Sequence, residues 1–297
     1  MKHKFLIIGG DMRLAYLAQM LEEDGNKVYV YGQEKNERIT ENKLIETCKT
    51  LKTAIEKTEI IIAPIPLTKD GIELNTPFSN EKILIEDLLK NNKSKLLIAG
   101  SIKNNIKDKL IINYKNVVDV MEREELTILN TIATAEGTIE VAINNTDKIL
   151  QGSKVLVLGF GRVAKIVANK FKLLSADVTC SARKISDLAW IEAYGYKALN
   201  INDILYDLKD FDIIINTVPQ IIIHEKELKH MNPNVLLIEL ASSPGGFDSE
   251  TAENMGLKYV WAQALPGKVA PSTSAKFILE TIGNILEETN EDLIRIW

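Results

Sequence analysis

The clearest chemical signal is a glycine turn in the second half of the chain, where residues 154–164 read Lys-Val-Leu-Val-Leu-Gly-Phe-Gly-Arg-Val-Ala. Gly159 permits a tight turn, Gly161 lets the backbone approach a pyrophosphate, and Ala164 allows close strand–helix packing. The following helix offers N–H donors and its positive dipole end to phosphate. Strand, turn, helix and next strand come in the required order, so the pattern predicts dinucleotide binding. The residues expected at the cofactor are Gly159, Phe160, Gly161, Arg162 and Val163.

The end of the next strand indicates which nicotinamide cofactor would bind. A NAD site commonly has Asp or Glu here, about 20 residues after the glycines, to bond the ribose 2′-hydroxyl. This strand ends instead in Cys-Ser-Ala-Arg-Lys, residues 180–184. Ser181 and Arg183 are suitable ligands for a 2′-phosphate, and Arg162 adds positive charge. We therefore expect NADP rather than NAD, with a solvated basic loop as the alternative.

Two later loops follow strands of the same half, at residues 216–219 and 239–246. In an open doubly wound sheet, the carboxyl ends of the strands line the ligand crevice. Backbone and hydroxyl groups of these loops are therefore expected at the ribose and nicotinamide, with ordinary turn chemistry as the alternative. The residues concerned are Thr217, Val218, Pro219, Ala241 and Ser242.

The chain begins with a near-copy of the glycine turn, in which Leu14 replaces the last small residue and Gly10-Asp11 replaces the glycine that would admit a pyrophosphate. We interpret it as a small-anion site. Arg13, at a helix N-terminus, can hold a carboxylate by two parallel hydrogen bonds, and Asp11 can orient Arg13 or act as a polar contact. The alternative is an N-cap Asp beside a surface Arg.

Four further candidates lie outside the glycine turns. Lys268 is a second candidate ligand for a carboxylate, and Glu136 is a candidate base or orienting group, so these two are the expected catalytic residues. Thr134 and Gly137 flank Glu136 in the sequence and complete the expected substrate site. A purely structural role is the alternative for each of the four.

Apolar runs of strand length alternate with helical segments throughout the chain, which is typical of an α/β fold. Most runs are apolar on consecutive residues, as in parallel strands covered on both faces. The runs lie at 2–10, 27–32, 59–66, 95–100, 117–121, 154–159, 177–182, 212–219, 235–241 and 258–262. Helical segments include 12–25, 80–91, 162–175 and 184–194. We expect two doubly wound, Rossmann-like domains.

The expected domains are a substrate domain at 1–125 and an NADP-binding domain at 148–270. Residues 126–147 form the bridge, either as one long helix or as a helix that begins with Thr134 as N-cap and has Glu136 in its first turn. We prefer the second interpretation, because Gly137 weakens a long helix. Residues 271–297 are expected to form a helix that returns to the first domain.

Composition excludes several classes of protein. The 297 residues carry a formal charge of −5 without a basic cluster, which argues against a nucleic-acid partner. The two cysteines, Cys48 and Cys180, form no metal motif and fit a reducing cytoplasm. The four apolar residues before Gly9 are too few for a signal peptide, and no apolar run is long enough to span a membrane.

Taken together, these motifs resemble the A subunit of dipicolinate synthase. The resemblance runs from about residue 5 to residue 285. It is carried by Gly9-Gly10-Asp11-x-Arg13, Phe78-Ser79-Asn80-Glu81, Glu136-Gly137-Thr138, Gly159-x-Gly161-Arg162, Ala241-Ser242-x-Pro244-Gly245-Gly246-x-Asp248 and Leu265-Pro266-Gly267-x-Val269-Ala270-Pro271. It implies a sporulating bacterium, the cytoplasm of the mother cell, and the branch that leaves lysine biosynthesis at hydroxy-tetrahydrodipicolinate or its dehydrated form. It also implies that the partner is the flavoprotein-like B subunit of dipicolinate synthase, and the formation of a homo-oligomer is left open.

The reaction we expect is removal of hydride from a dihydropyridine dicarboxylate to NADP⁺, driven by aromatisation. Arg13 and Lys268 would neutralise the carboxylates, and Glu136 would take the ring proton. A D-2-hydroxyacid dehydrogenase would need a His acid/base late in the chain, but His3, His224 and His230 are the only histidines and none follows residue 262. A non-catalytic NADP-binding scaffold is the remaining alternative.

Overall fold

The computed structural model describes residues 2–89, 92–206 and 208–294, with the backbone alone for 204–206 and 290–294. The strands are β1 Lys4–Ile8, β2 Lys27–Tyr31, β3 Glu46–Thr47, β4 Ile60–Ile62, β5 Asn92–Ala99, β6 Tyr114–Asp119, β7 Lys154–Leu158, β8 Asp177–Ala182, β9 Lys197–Asn200, β10 Ile213–Asn216, β11 Leu236–Glu239 and β12 Lys258–Trp261. The α-helices are α1 Met12–Glu23, α2 Glu37–Thr40, α3 Leu51–Glu56, α4 Asn104–Asn113, α5 Glu124–Asn145, α6 Arg162–Leu173, α7 Ile185–Ala193, α8 Glu225–Leu228, α9 Ser249–Asn254, α10 Leu265–Val269 and α11 Pro271–Ile294.

The chain divides into two compact units, each built on one sheet. The first unit comprises Met1–Leu129 and Ala270–Trp297, and the second comprises Asn130–Val269. The sheet orders are β3-β2-β1-β4-β5-β6 and β12-β11-β10-β7-β8-β9. All the strand pairs are parallel. Strand order therefore reverses between β1 and β4 and between β7 and β10, which confirms the predicted doubly wound fold.

In the first unit, consecutive strand residues enter different cores. Phe5 and Ile7 of β1 face the core that contains α1 and α11, whereas Leu6 and Ile8 face the opposite core. This explains the unbroken apolar runs in the sequence. The helix α11 contributes four buried residues at helical spacing, Ala275, Ile278, Ile282 and Ile285. The predicted return of the last helix to the first domain is confirmed.

The second unit repeats this arrangement. Val155 and Val157 of β7 enter a core with the apolar face of α6, and Leu156 and Leu158 enter the core on the other face of the sheet. All ten predicted runs overlap strands. The two strands that the sequence did not indicate, β3 and β9, are short edge strands of two and four residues, and neither contains a fully buried residue. Edge strands of this kind bury little apolar surface, so their sequences carry no hydrophobic pattern.

The predicted helix at 80–91 is wrong within the described residues. Only Ile85–Leu88 form a 3₁₀ helix. The residues before it are extended, because Leu74 N–H donates to Ile83 O at 2.8 Å and Ile85 N–H donates to Ile72 O at 2.9 Å. This antiparallel pairing with residues 72–74 uses the backbone groups that a helix would require for its own hydrogen bonds. Residues 90 and 91 lie outside the described residues.

The preferred interpretation of the bridge is also wrong, because α5 is one continuous helix. Thr134 lies inside it, and its hydroxyl donates to Asn130 O at 2.9 Å instead of capping a helix start. Gly137 is buried. A Cβ atom at Gly137 would lie 3.0 Å from Leu265 Cβ and 3.2 Å from Val269 Cγ2. Gly137 therefore allows α10 to lie close against α5.

This packing gives a stability prediction for a pair of helical glycines. Gly283 in α11 has nothing within 4 Å of a Cβ atom, so Gly283→Ala is expected to gain the alanine propensity of about 1 kcal/mol. Gly137→Ala is not expected to be stabilised, because the new methyl group would crowd Leu265 and overpacking costs about 1–3 kcal/mol. Denaturant unfolding of both variants measures the difference. An equal stabilisation by both would contradict the close-packing role of Gly137.

Among the described residues, no helix combines the length and hydrophobicity that a bilayer crossing requires.

Candidate functional site: a glycine turn at the switch point of the second sheet

The turn after β7 has an open side and a packed side. Gly159 has φ +94°, and a Cβ atom there would lie 2.8 Å from Thr217 Oγ1 and 2.9 Å from Val218 Cγ2. Gly161 is exposed and is the N-cap of α6, with an ordinary φ of −81°. A Cβ atom at Gly161 would meet nothing within 4 Å. The helix N-terminus therefore faces open space, which is the arrangement that a pyrophosphate requires.

The side chains of the turn differ in what they can contact. Phe160 is buried, with its ring 6.0 Å from that of Tyr194 and 6.4 Å from that of Tyr196. Phe160 can therefore offer only its backbone to a ligand. Arg162 is exposed in the first turn of α6, and Val163 is half-buried. The turn thus presents backbone N–H groups and one guanidinium.

The end of β8 corrects one predicted ligand. Ser181 is completely buried, and its hydroxyl oxygen has no hydrogen-bond partner among the described residues. Its backbone carbonyl instead accepts from Gly159 N–H at 3.1 Å. A buried hydroxyl is not accessible to a phosphate, so Ser181 is wrong as a phosphate ligand. Arg183, two residues further on, is exposed beyond the end of the strand.

The loops after β10 and β11 lie at the same edge of the sheet. Thr217 Oγ1 donates to Leu158 O at 2.8 Å, which fixes this loop to the strand that precedes the glycine turn. Val218 is half-buried and Pro219 is exposed. In the second loop, Ala241 is buried and Ser242 is exposed.

Sequence reasoning missed Glu239 as an individual residue, although it lies in one of the predicted loops. It is the last residue of β11 and is completely buried. Its carboxylate accepts from Asn216 Nδ2 at 2.7 Å, Ala241 N–H at 2.8 Å and Gly246 N–H at 2.7 Å. Burial raises the pKa of Glu239, while these hydrogen bonds act to lower it. The available signal was a single acid after four apolar residues, Val-Leu-Leu-Ile.

In the first unit, Asp11 and Arg13 form one compact contact. Asp11 Oδ1 accepts from the N–H of Arg13 at 3.0 Å and caps α1. Arg13 Nε and Nη2 donate to the same carboxylate at 2.9 and 2.8 Å, and Nη2 also donates to Ile65 O. Arg13 is only 8% exposed, so it is not a surface arginine. Among the described residues, no acceptor bonds to its Nη1.

Both glycines of the first turn pack against protein, as Gly159 does in the second turn. A Cβ atom at Gly9 would lie 2.1 Å from Thr76 Cγ2, and one at Gly10 would lie 2.4 Å from Leu14 Cδ1. The side chains of Thr76 and Leu14 therefore pack directly against these two glycines. At the position equivalent to Gly161 this turn has Asp11, whose side chain caps α1 and so takes the place at the helix N-terminus that a pyrophosphate would need.

The remaining predicted residues are less well placed for chemistry. Glu136 Oε1 lies 2.8 Å from Lys170 Nζ. At about 1.5 Å per residue, Lys170 lies about 12 Å along α6 from the start of that helix. The Glu136 carboxylate thus pairs near the end of α6 away from the glycine turn, which contradicts its expected role as proton acceptor. Gly137 is buried under Leu265, which contradicts substrate contact. The Thr134 hydroxyl is bonded within α5. Lys268 is exposed on α10.

Comparison with known proteins decides the family. Residues 4–121 match the N-terminal domain of the dipicolinate synthase A subunit. The chain is 33% identical over 287 residues to the A subunit of dipicolinate synthase from Bacillus subtilis (strain 168), which covers 96% of both chains. The chain belongs to this family of dipicolinate synthase A subunits. The resemblance that the motifs indicated is confirmed.

Solved structures of this family agree with the assignment. The A chain of dipicolinate synthase from Bacillus subtilis superposes with a TM-score of 0.86 at 31% identity, over 98% of each chain. The corresponding A subunit from Bacillus halodurans gives a TM-score of 0.86 at 32% identity, over 96% of this chain and 97% of that one. A transhydrogenase from Sinorhizobium meliloti, at 12% identity and a TM-score of 0.70, over 96% of this chain and 94% of that one, shares the fold.

The second unit of this family member carries its own match. Residues 131–244 match the NAD-binding domain of D-isomer specific 2-hydroxyacid dehydrogenases. This range contains the open glycine turn and the loop after β10. An NAD(P)-binding domain of dehydrogenase type is therefore present, and it supports an oxidoreductase.

Proposed function

We propose that the chain oxidises dihydrodipicolinate, formed from 4-hydroxy-tetrahydrodipicolinate, to dipicolinate with NADP⁺ during sporulation. The ring loses one hydride and one proton and becomes aromatic, and NADP⁺ becomes NADPH. The observation that carries the proposal is the open turn at Gly161 in a member of this family. Aromatisation supplies driving force, so the protein has mainly to bind and orient the reactants.

The residues of the second unit fit a dinucleotide. The first N–H groups of α6 and the exposed Arg162 would hold the pyrophosphate, since the space above Gly161 is free of protein. Thr217, Val218, Pro219, Ala241 and Ser242 would line the nicotinamide half. A nicotinamide bound at this edge would accept the hydride. The substrate carboxylates require cations, and Arg13 and Lys268 are the groups that we assign to them.

Arg13 suits this assignment because its guanidinium is already oriented. Asp11 and the Ile65 carbonyl hold Nε and Nη2, so Nη1 is the nitrogen left for a ligand. Preorganisation of this kind lowers the entropy lost on binding. Glu136 is not retained as proton acceptor, because its carboxylate pairs with Lys170.

The preference for NADP rests on Arg183. In place of an acid that would repel a 2′-phosphate, the chain has Arg183, exposed beyond the end of β8. Arg183→Glu is expected to raise the Kd for NADP⁺ about 100-fold, since a lost charge-assisted bond is worth roughly 1.5–3 kcal/mol and repulsion adds to it. The Kd for NAD⁺ should change less than threefold.

Calorimetric titration of both nucleotides into both proteins measures this selectivity. Lys197→Glu is the matched charge reversal, because Lys197 is the first residue of β9 and pairs at 2.6 Å with Asp177, the first residue of β8, whereas Arg183 follows the last residue of β8. It should leave both Kd values unchanged. Equal losses of NADP⁺ and NAD⁺ affinity in Arg183→Glu would refute the NADP assignment.

Turnover tests the proposed reaction directly. The chain is mixed with enzymatically generated 4-hydroxy-tetrahydrodipicolinate and NADP⁺, and NADPH absorbance and dipicolinate formation are followed. The relatives carry the name of an A subunit, and we propose that the partner is a flavoprotein-like B subunit, so the assay is run in its presence and in its absence. Turnover by the lone chain is expected. Turnover only with the partner would favour a nucleotide-binding scaffold, and none in either case would overturn the proposal.

A further inference from the structure

A buried carboxylate and a buried amide join two separate loops of the second unit. Glu239 and Asn216 are the last residues of β11 and β10, and they are paired across the sheet. Both are 0% exposed. Asn216 Nδ2 donates to Glu239 Oε1 at 2.7 Å. The two side chains therefore form one polar unit inside an otherwise apolar part of the sheet.

Each side chain also holds the loop that follows its own strand. Asn216 Oδ1 accepts from Val218 N–H at 3.1 Å, and Asn216 Nδ2 donates to Val218 O at 2.8 Å. Glu239 Oε1 accepts from Ala241 N–H, and Oε2 accepts from Gly246 N–H. The pair thus fixes the loop at 217–219 and the loop at 241–246 relative to each other.

The two glycines of the second loop show how closely it lies on the pair. A Cβ atom at Gly245 would lie 2.8 Å from Glu239 Oε2, and one at Gly246 would lie 2.3 Å from Asn216 Nδ2. Gly245 also has φ +81°, which favours glycine. No side chain fits at either position without displacing the pair.

Burial of a carboxylate is costly unless its hydrogen bonds are made. Glu239 satisfies three donors, two of them backbone N–H groups of a loop that could otherwise turn outward to water. An apolar residue at 239 would leave those donors unpaired. Burial of the acid is therefore tolerated only when the two loops keep the conformation that supplies these donors.

We propose that Glu239 and Asn216 are positioning residues that preorganise both loops for the nicotinamide half of the coenzyme. This inference rests on the proposed function, which places Thr217, Val218, Ala241 and Ser242 at that half. Neither member of the pair touches the coenzyme, because both are completely buried. Their effect is to remove the cost of ordering two loops on binding.

The substitution Glu239→Gln tests this. Glutamine has nearly the same shape, but in either orientation its NH₂ group faces a backbone N–H donor, that of Ala241 or that of Gly246. We expect the Kd for NADP⁺ to rise about tenfold or more, the effect of losing one buried hydrogen bond. Trp261 reports on the loop, because its Nε1 donates to Ala241 O at 3.0 Å. Its emission is followed with Trp190 and Trp297 replaced by phenylalanine.

Asp212→Asn is the matched control. Asp212 precedes β10 at the opposite end, where its carboxylate accepts from Lys154 N–H at 2.9 Å and from Lys148 Nζ at 2.6 Å. It should leave the Kd for NADP⁺ within twofold. An unchanged Kd in folded Glu239→Gln, beside a wild type that binds, would overturn this inference alone. A wild type that binds neither NADP⁺ nor NAD⁺ would overturn the proposed function and this inference with it.

Hydrogen exchange of the free wild-type protein provides a second test that does not depend on a variant folding. The amides of Val218, Ala241 and Gly246 are expected to be protected without nucleotide. Asn216 accepts a hydrogen bond from the first of these N–H groups, and Glu239 accepts from the other two. Protection comparable to that of β10 and β11 supports preorganisation. Rapid exchange of these amides in the free protein, followed by protection only after NADP⁺ is added, would contradict it.

Discussion

Gly161→Val is expected to abolish nucleotide binding while the protein stays folded. Gly161 has an ordinary φ of −81°, and a Cβ atom there meets no protein atom within 4 Å, so valine fits the protein itself. The valine side chain instead fills the space in front of the first turn of α6. A pyrophosphate must enter that space to reach the N–H donors. We expect the Kd for NADP⁺ to rise at least about 100-fold, equivalent to roughly 2.7 kcal/mol.

Calorimetric titration with NADP⁺, together with thermal unfolding, measures both parts of this expectation. Gly283→Val is the matched control, since Gly283 is also exposed and also has nothing within 4 Å of a Cβ atom, but lies in α11 of the first unit. It should bind NADP⁺ as the wild type does. Binding by Gly161→Val within twofold of the wild type would place the nucleotide elsewhere.

Arg13→Ala is expected to remove turnover and to spare nucleotide binding. Arg13 lies in the first unit, whereas the glycine turn lies in the second. Its loss would remove a preoriented cation from the substrate carboxylate. Truncation of a buried charged partner costs about 2–5 kcal/mol, so kcat/KM should fall about 100-fold or more. The Kd for NADP⁺ should stay within twofold.

The control for Arg13 is another arginine of the same unit. Arg38 stacks on the Tyr16 ring at 4.0 Å and donates to Gln19 Oε1 at 2.7 Å, and it has no place in the proposed site. Arg38→Ala should turn over substrate at the wild-type rate. Steady-state kinetics on both variants, with thermal unfolding to exclude loss of structure, makes the comparison. Full activity in Arg13→Ala would remove Arg13 from the substrate site.

The fold could be predicted from the sequence because its signals are local. Parallel strands covered on both faces must be apolar at consecutive positions, and the runs at 4–8 and 154–158 show this directly. The glycine turn could likewise be predicted, since Gly159, Gly161 and Ala164 are close in sequence. The short strands β3 and β9 could not, because edge strands need little hydrophobic surface.

The site was harder to predict, because contact depends on neighbours that are distant in sequence. The residue type predicts Ser181 at a phosphate, but Ser181 is completely buried in β8. The sequence predicts that Gly137 weakens a long helix, whereas Gly137 lies inside α5 and packs against Leu265, which lies 128 positions later. Glu136 pairs with a lysine of another helix. In each case the sequence shows the residue type but not the residues that surround it in the fold.

For the two glycine turns, the sequence predicts which one holds a dinucleotide but not which distant residues pack against the other. Replacement of Ala164 by Leu14 at the equivalent position predicted that the first turn would not hold a dinucleotide. The structure adds that Thr76 and Leu14 pack on the glycines of the first turn, and that Asp11 caps α1 at the position where Gly161 leaves open space in the second turn. Thr76 could not have been identified from the sequence, because it lies 67 positions after Gly9.

A crystal structure of the chain grown with NADP⁺ shows whether the second glycine turn holds the coenzyme. We predict that the pyrophosphate lies over Gly161, hydrogen-bonded to the first N–H groups of α6, with Arg183 at the 2′-phosphate. Electron density for the nucleotide at any other place, or a turn at Gly161 closed by protein side chains, would exclude coenzyme binding at this turn.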